Sequence, residues 1–162
     1  MIGSLGSVGI CKGILSGECA TREVAAYLLD ARGGGFHDVP TTTYIEFYHP
    51  CFTNSNISIL SNPIPSQTEQ CQLKNKTIKH GPLQEFVHSS GIIGDFGVRK
   101  FLPEEIKKIA LLDLRTLNCD RNDGNILVRG KKLIPIDHGL CLPDTFEIYE
   151  DYIAWMNYPQ IK

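Results

Sequence analysis

Apolar positions recur with a helical period in two stretches of this chain, and β-branched or aromatic residues gather into short runs elsewhere. Strong helix formers run from Ala20 to Asp30 and place Val24 with Leu28, and Ala25 with Leu29, on one stripe. Gly33-Gly34-Gly35 supplies the stop. Val39 to Tyr48 is β-branched and aromatic and predicts a strand. Pro82 to Val87 is a short apolar segment that reads as a strand running into a linker. The strongest helix starts at Pro103, with Glu104 and Glu105 in its first turn, where proline and acidic side chains suit the unpaired N–H groups. Its inward stripe is Ile106, Ile109, Ala110 and Leu117. Asp113 lies on that stripe, and a carboxylate taken from water needs partners, so it is expected to brace the loop that follows rather than touch substrate.

Ile126-Leu127-Val128 and Leu133-Ile134-Pro135-Ile136 flank Arg129-Gly130-Lys131-Lys132, which predicts a β-hairpin. Phe146 to Tyr158 is aromatic with acidic interruptions and reads as helical in part. Residues 1–19 read as a loop, Gly- and Ser-rich over 1–9, and the polar, proline-containing stretch 49–79 reads as a mobile insertion. No internal repeat is visible, and nothing suggests a second domain.

Composition narrows the classes without choosing among them. With 162 residues, 42% hydrophobic and 21% charged, the chain has material for one ordinary core. A net charge of −2 gives no general reason to expect nucleic acid as a partner, and Lys74, Lys76, Lys79 and His80 read as a solvated loop. The six cysteines form no CxxC pair, so neither a zinc site nor a redox motif is signalled, and reduced thiols in a cytoplasmic protein are expected. No secretory signal and no apolar run near the ~20 residues of a membrane span is present, so a soluble protein able to work at a membrane surface is expected.

The chemistry sits between the second helix and the hairpin. Asp120 and Asn125 are separated as in kinase catalytic loops, which aim a carboxylate at the acceptor hydroxyl and an amide oxygen at a metal. The hairpin then returns the chain to Asp137-His138-Gly139, a second carboxylate on a glycine-hinged turn. Asn125 and Asp137 offer hard oxygens suited to Mg²⁺, Arg121 could offset nearby negative charge, and Asn122-Asp123-Gly124 is a turn former. Two other motifs mislead. Asp95-Phe96-Gly97 spells a kinase metal tripeptide but precedes the catalytic loop, so it reads as a turn. The glycines at 3, 6 and 9, with Lys12 beyond, fit neither common phosphate-loop pattern.

Several blocks then point to one family: Arg22 to Asp30, Val39-Pro40, Leu83-Gln84-Glu85-Phe86-Val87, Ile109 to Arg115, Asn118-Cys119-Asp120-Arg121 and Leu133 to Pro143. In this order they resemble phosphatidylinositol 4-kinases of the type II group, the plant gamma-type branch in particular. The resemblance implies an α+β, protein-kinase-like bilobed fold, present in part over residues 10–162. It implies ATP between the lobes, Mg²⁺, and phosphatidylinositol met at a membrane surface from the cytoplasm and phosphorylated on its 4-hydroxyl. Carried over by position, Asp120 matches the catalytic aspartate, and Asn125 and Asp137 match the metal ligands. Gln84, Glu85, Phe86 and Val87 match the adenine-contacting linker, with Val87 the main contact, and Glu23 matches the acidic helix residue near a phosphate-binding lysine. For Glu23 a solvated helix glutamate is the alternative. No strand lysine is recognisable before Glu23, and Lys12 falls between that lysine's place and the helix. Trp155 and Tyr158-Pro159-Gln160 resemble the start of a longer helical region, so the chain reads as truncated at both ends. Two alternatives stand beside the lipid kinase: a non-catalytic pseudokinase or interaction module, and a protein serine/threonine kinase.

Overall fold

The computed structural model describes residues 13–48, 78–145 and 153–161. They hold two helices, α1 (Cys19–Arg32) and α2 (Pro103–Thr116), with five strands: β1 (Thr42–Tyr48), β2 (Ile78–Gln84), β3 (Gly91–Ile92), β4 (Ile126–Arg129) and β5 (Lys132–Pro135). β1 pairs with β2, and β3, β4 and β5 form a second, antiparallel sheet in that order. The chain divides into two compact units, one of Met1–Tyr44 with Pro82–Lys162 and one of Ile45–Gly81. In the smaller unit His80 Nδ1 lies 3.3 Å from Glu46 Oε1. Most of the stretch read as an insertion, residues 49–77, and the glycines and lysine before residue 13 lie outside the described residues.

α2 forms as its pattern requires. Proline opens it, two glutamates occupy its first turn, and Ile106, Ile109, Ala110, Leu112 and Asp113 turn inward. It stops at Leu117, whose left-handed φ of 50° ends the helix, so that residue is a half-buried cap rather than part of the stripe. The hairpin is in the expected place, with Ile126 opposite Pro135 and Arg129 opposite Lys132, and Gly130 takes the positive φ of 65° its turn needs. Ile126, Val128 and Leu133 meet Ile106, Ile109 and Ala110 in one core, closed by Ile93, Phe101, Ile153, Trp155 and Tyr158. β3 is too short to leave a sequence signal and appears only because β4 offers it a free edge. Asp95 ends the 3-10 turn Ile93–Asp95 and Phe96 caps it, with the Asp95 carboxylate accepting the Ile92 N–H at 3.0 Å, so Asp95-Phe96-Gly97 is indeed a turn.

α1 corrects the sequence reading. Leu28 and Leu29 are 47% and 40% exposed, while the buried side chains are Arg22, Glu23, Ala26 and Asp30. Polar groups face inward because each finds partners there, and a satisfied polar group costs far less to bury than an orphaned one. Asp30 accepts the His37 and Val39 N–H groups at 2.9 and 3.0 Å, which folds the segment after the helix back along it. Fully buried His37 then donates from Nδ1 to the Lys108 carbonyl at 2.8 Å and accepts from Arg115 at Nε2 at 3.2 Å, joining this segment to α2. Lys108 adds a 2.7 Å ion pair to Asp38.

This polar docking reverses the usual ranking of substitutions within one helix. Asp30→Ala orphans two buried N–H groups and is expected to cost about 2–4 kcal/mol, whereas Leu28→Ser is expected to change stability by less than about 0.5 kcal/mol. Urea unfolding of the two variants checks this, and equal losses would restore the leucine stripe as the buried face.

Candidate active site

The loop after α2 is organised from beneath by two buried charges. Asp113, 2% exposed, accepts from Arg121 Nε at 3.1 Å to both carboxylate oxygens, from Arg121 Nη2 at 3.0 Å and from Trp155 Nε1 at 2.8 Å. Asn118 adds its amide at 3.3 Å. Arg121 is fully buried, and its Nη1 donates to the carbonyls of Asn125, at 2.9 Å, and Ile136, at 2.6 Å. Asp113 therefore braces the loop as its position implied. Arg121 does not stand at the site as a free positive charge; it is consumed inside, fastening the end of the loop to the end of the hairpin.

The candidate chemical groups sit on this support. Asp120 is half-buried; its N–H donates to Asn118 Oδ1 at 2.9 Å, and its carboxylate accepts from Asn122 Nδ2 at 3.1 Å. Asn122 caps the short 3-10 turn Asp123–Asn125 through the Gly124 N–H, which confirms Asp123 as a turn residue. Asp123 also accepts the Tyr158 hydroxyl. Burial first, then that hydrogen bond and the Asp123 charge, push the Tyr158 phenol far above its ordinary value. Asn125 donates its amide to the Asp120 carbonyl at 2.9 Å, which orients the side chain and leaves Oδ1 as its unused acceptor. The Ile136 N–H donates to the Asn125 carbonyl at 3.0 Å, so the backbones leading to Asn125 and Asp137 are held side by side.

Asp137 is exposed, takes a left-handed φ of 54°, and has no hydrogen-bond or ion-pair partner among the described residues. Gly139, two residues later, passes close to α1, where a Cβ would lie 3.1 Å from that of Cys19. Among the described residues no three His, Cys, Asp or Glu side chains are grouped to hold a metal ion. The Asn125 amide oxygen and the free Asp137 carboxylate are instead two hard-oxygen donors, a set that fits Mg²⁺ completing its shell with water and phosphate.

Glu23 is not a solvated helix residue. Its carboxylate, 7% exposed, accepts the His138 N–H on Oε2, while Oε1 lies 3.3 Å from His138 Nδ1 and accepts Gln84 Nε2 at 3.0 Å. Gln84 ends β2 and donates also to Thr42 Oγ1 at 2.9 Å; the Glu85 N–H donates to the Thr41 carbonyl at 2.7 Å. An open cavity of about 430 Å³ is lined by Thr41, Thr43, Leu83, Gln84 and Glu85. Phe86, 79% exposed, and Val87 do not line it. The structure thus brings together Asp120, Asn125 and Asp137, and joins Glu23 to Gln84. The contributions of Trp155 and His138 escaped sequence reasoning; the signal within reach was Asp113 on a buried stripe ahead of Arg121, a carboxylate in want of a cation.

Residues 2–153 match the family described as phosphatidylinositol 3- and 4-kinase, and the chain belongs to that family. Its class is therefore that of the kinases. More particularly, the chain is 38% identical to phosphatidylinositol 4-kinase gamma 4 of Arabidopsis thaliana over 95% of its own length and 26% of that protein's. It is 38% identical to the gamma 3 protein of the same plant, over 98% of the chain and 28% of the relative. It is 37% identical to the gamma 4 protein of Oryza sativa subsp. japonica, over 95% and 25%. The chain thus spans about a quarter of the length of these relatives.

Two outcomes test the site's electrostatics. Burial acts to raise the Glu23 carboxyl, but the hydrogen bonds and charge of His138, with the Gln84 amide, outweigh it and hold the group below its ordinary value. Folding therefore favours the ionised form: its stabilisation is complete above the unfolded value of about 4.3 and is lost as pH falls through the lower folded one. The urea midpoint is expected to fall with acidification across that window, and less so in Glu23→Gln; equal slopes would contradict the assignment. Burial, then the Glu23 charge, push the Cys141 thiol up to about 12. Peptide mapping after iodoacetamide treatment of the native chain should find exposed Cys19 alkylated and Cys141 untouched, and prompt labelling of Cys141 would contradict its burial.

Proposed function

We propose that this chain carries the phosphoryl-transfer site of an ATP- and Mg²⁺-dependent phosphatidylinositol 4-kinase, set in a protein-kinase-like bilobed fold and working from the cytoplasm at a membrane surface. The observation that carries the reading is the Arg121 guanidinium, which ties the Asn125 and Ile136 carbonyls to buried Asp113 and so keeps Asn125 beside Asp137. When bound, Mg²⁺ and ATP supply the transferable γ-phosphoryl group and the neutralisation of its charge. Asn125 Oδ1 and the Asp137 carboxylate would hold the metal. The residues from Gln84 to Val87 meet the adenine at the end of β2. Asp120 orients the inositol 4-hydroxyl and accepts its proton as the oxygen bonds to the γ-phosphorus and the bond to the departing ADP breaks. The curated relatives' names support phosphatidylinositol as the acceptor.

A second reading, a nucleotide-binding module without turnover, is favoured by one observation: among the described residues the Glu23 carboxylate is engaged by His138 and Gln84 and by no lysine. Labelled ATP, Mg²⁺ and phosphatidylinositol vesicles separate the readings, with a serine-containing peptide as a parallel acceptor. The kinase reading expects lipid labelling that falls by at least about a hundredfold in Asp120→Ala. Lipid labelling no higher than in that variant overturns it, and labelling of the peptide alone would reassign the chain as a protein kinase.

A further inference from the structure

Glu23 stands where two candidate parts of the site meet. One is the end of β2, where Gln84 leads into the linker; the other is the turn that presents Asp137. The carboxylate reaches both at once, with Gln84 Nε2 on Oε1 at 3.0 Å and the His138 main-chain N–H on Oε2. His138 is fully buried beside it, and because a carboxylate only accepts, the 3.3 Å contact makes Nδ1 the donor. The other ring nitrogen, Nε2, is buried without a partner among the described residues, where Glu23 is the imidazole's one hydrogen-bond partner. Gln84 is fixed on its far side by Thr42 Oγ1, and Glu23 by its place on α1. Asp137 itself has no side-chain partner among the described residues and sits at a left-handed φ, so its position rests on the bonds its neighbours make, Ile136 to Arg121 on one side and His138 to Glu23 on the other.

We propose that Glu23 is a positioning residue that joins the linker to the metal-presenting turn, so that the order of Asp137 responds to Gln84 through that carboxylate. The reverse dependence follows from linkage: a ligand that tightens the linker tightens the turn, and a metal held at Asp137 tightens the linker. The catalytic meaning of this joint rests on the phosphoryl-transfer reading, but the joint itself is readable without nucleotide.

Amide hydrogen exchange on the full chain, free of nucleotide, tests it. Glu23→Gln keeps the volume and one acceptor but not two, and Gln84→Leu removes only the linker's donor. In Glu23→Gln the His138 amide should exchange at least about tenfold faster, and in Gln84→Leu measurably faster, while α2 amides keep wild-type rates. An unchanged His138 rate in Gln84→Leu overturns the joint, and acceleration spread equally over α2 reduces Glu23 to general stability. A second readout is the gain in ATP affinity on adding Mg²⁺. It should shrink about tenfold in Glu23→Gln, since loss of a charge-assisted bond is of that size. A wild-type chain showing no such gain would sink the phosphoryl-transfer reading, and the exchange rates would still decide the joint.

Discussion

The Asp113–Arg121 pair is the constraint on which the site depends. Neither charge is accessible to solvent, so each would be prohibitively expensive alone, and their mutual attraction only offsets the loss of hydration. What the pair adds is placement. The carboxylate belongs to α2, and the guanidinium belongs to the loop and reaches the hairpin. The Trp155 indole brings in the C-terminal 3-10 turn, and a main-chain bond from Ala154 to the Arg121 carbonyl keeps it there. Three consecutive segments and the distant C-terminal turn therefore share one hydrogen-bonded centre, and each candidate catalytic group lies within a few residues of it.

α1 uses the same logic on a second surface. Its buried face carries Arg22, Glu23 and Asp30, each matched to main-chain groups outside the helix. Arg22 donates to the Cys141 and Leu142 carbonyls just beyond the Asp137 turn, while Glu23 takes the N–H inside it. The turn is thus gripped from both ends by adjacent residues of one helix. Hydrogen bonds to backbone groups are directional where apolar contact is not, which suits a surface whose task is to fix the aim of a loop.

These two surfaces mark where sequence reasoning reaches and where it stops. α2 and the β4–β5 hairpin were legible because their apolar period and turn chemistry agree with burial, as Ile106, Ile109 and Gly130 show. The separation of Asp120 from Asn125, and the return to Asp137, were legible because the geometry they encode is local. Asp113 was legible as a brace, since a carboxylate on a buried stripe must be answered. Its partners were only half visible: Arg121 was in view but read as offsetting nearby negative charge, and Trp155 lies 42 residues further on, with nothing local to point at it. α1 was misjudged because Leu28 and Leu29 are better helix-stripe residues than Glu23 and Asp30 by hydropathy, and only tertiary partners reverse that order. β3 and the linkage of Gln84 to His138 through Glu23 exist only as long-range pairings.

The central claim is that Arg121 holds Asn125 and Asp137 together as the metal-binding half of a phosphoryl-transfer site. The most direct measurement is anomalous diffraction from crystals of the chain grown with Mn²⁺ and a non-hydrolysable ATP analogue. The account predicts a manganese peak bridged by Asn125 Oδ1 and the Asp137 carboxylate, with the terminal phosphate turned toward Asp120. A nucleotide-bound structure whose metal is held elsewhere, leaving Asn125 and Asp137 unliganded, would contradict it.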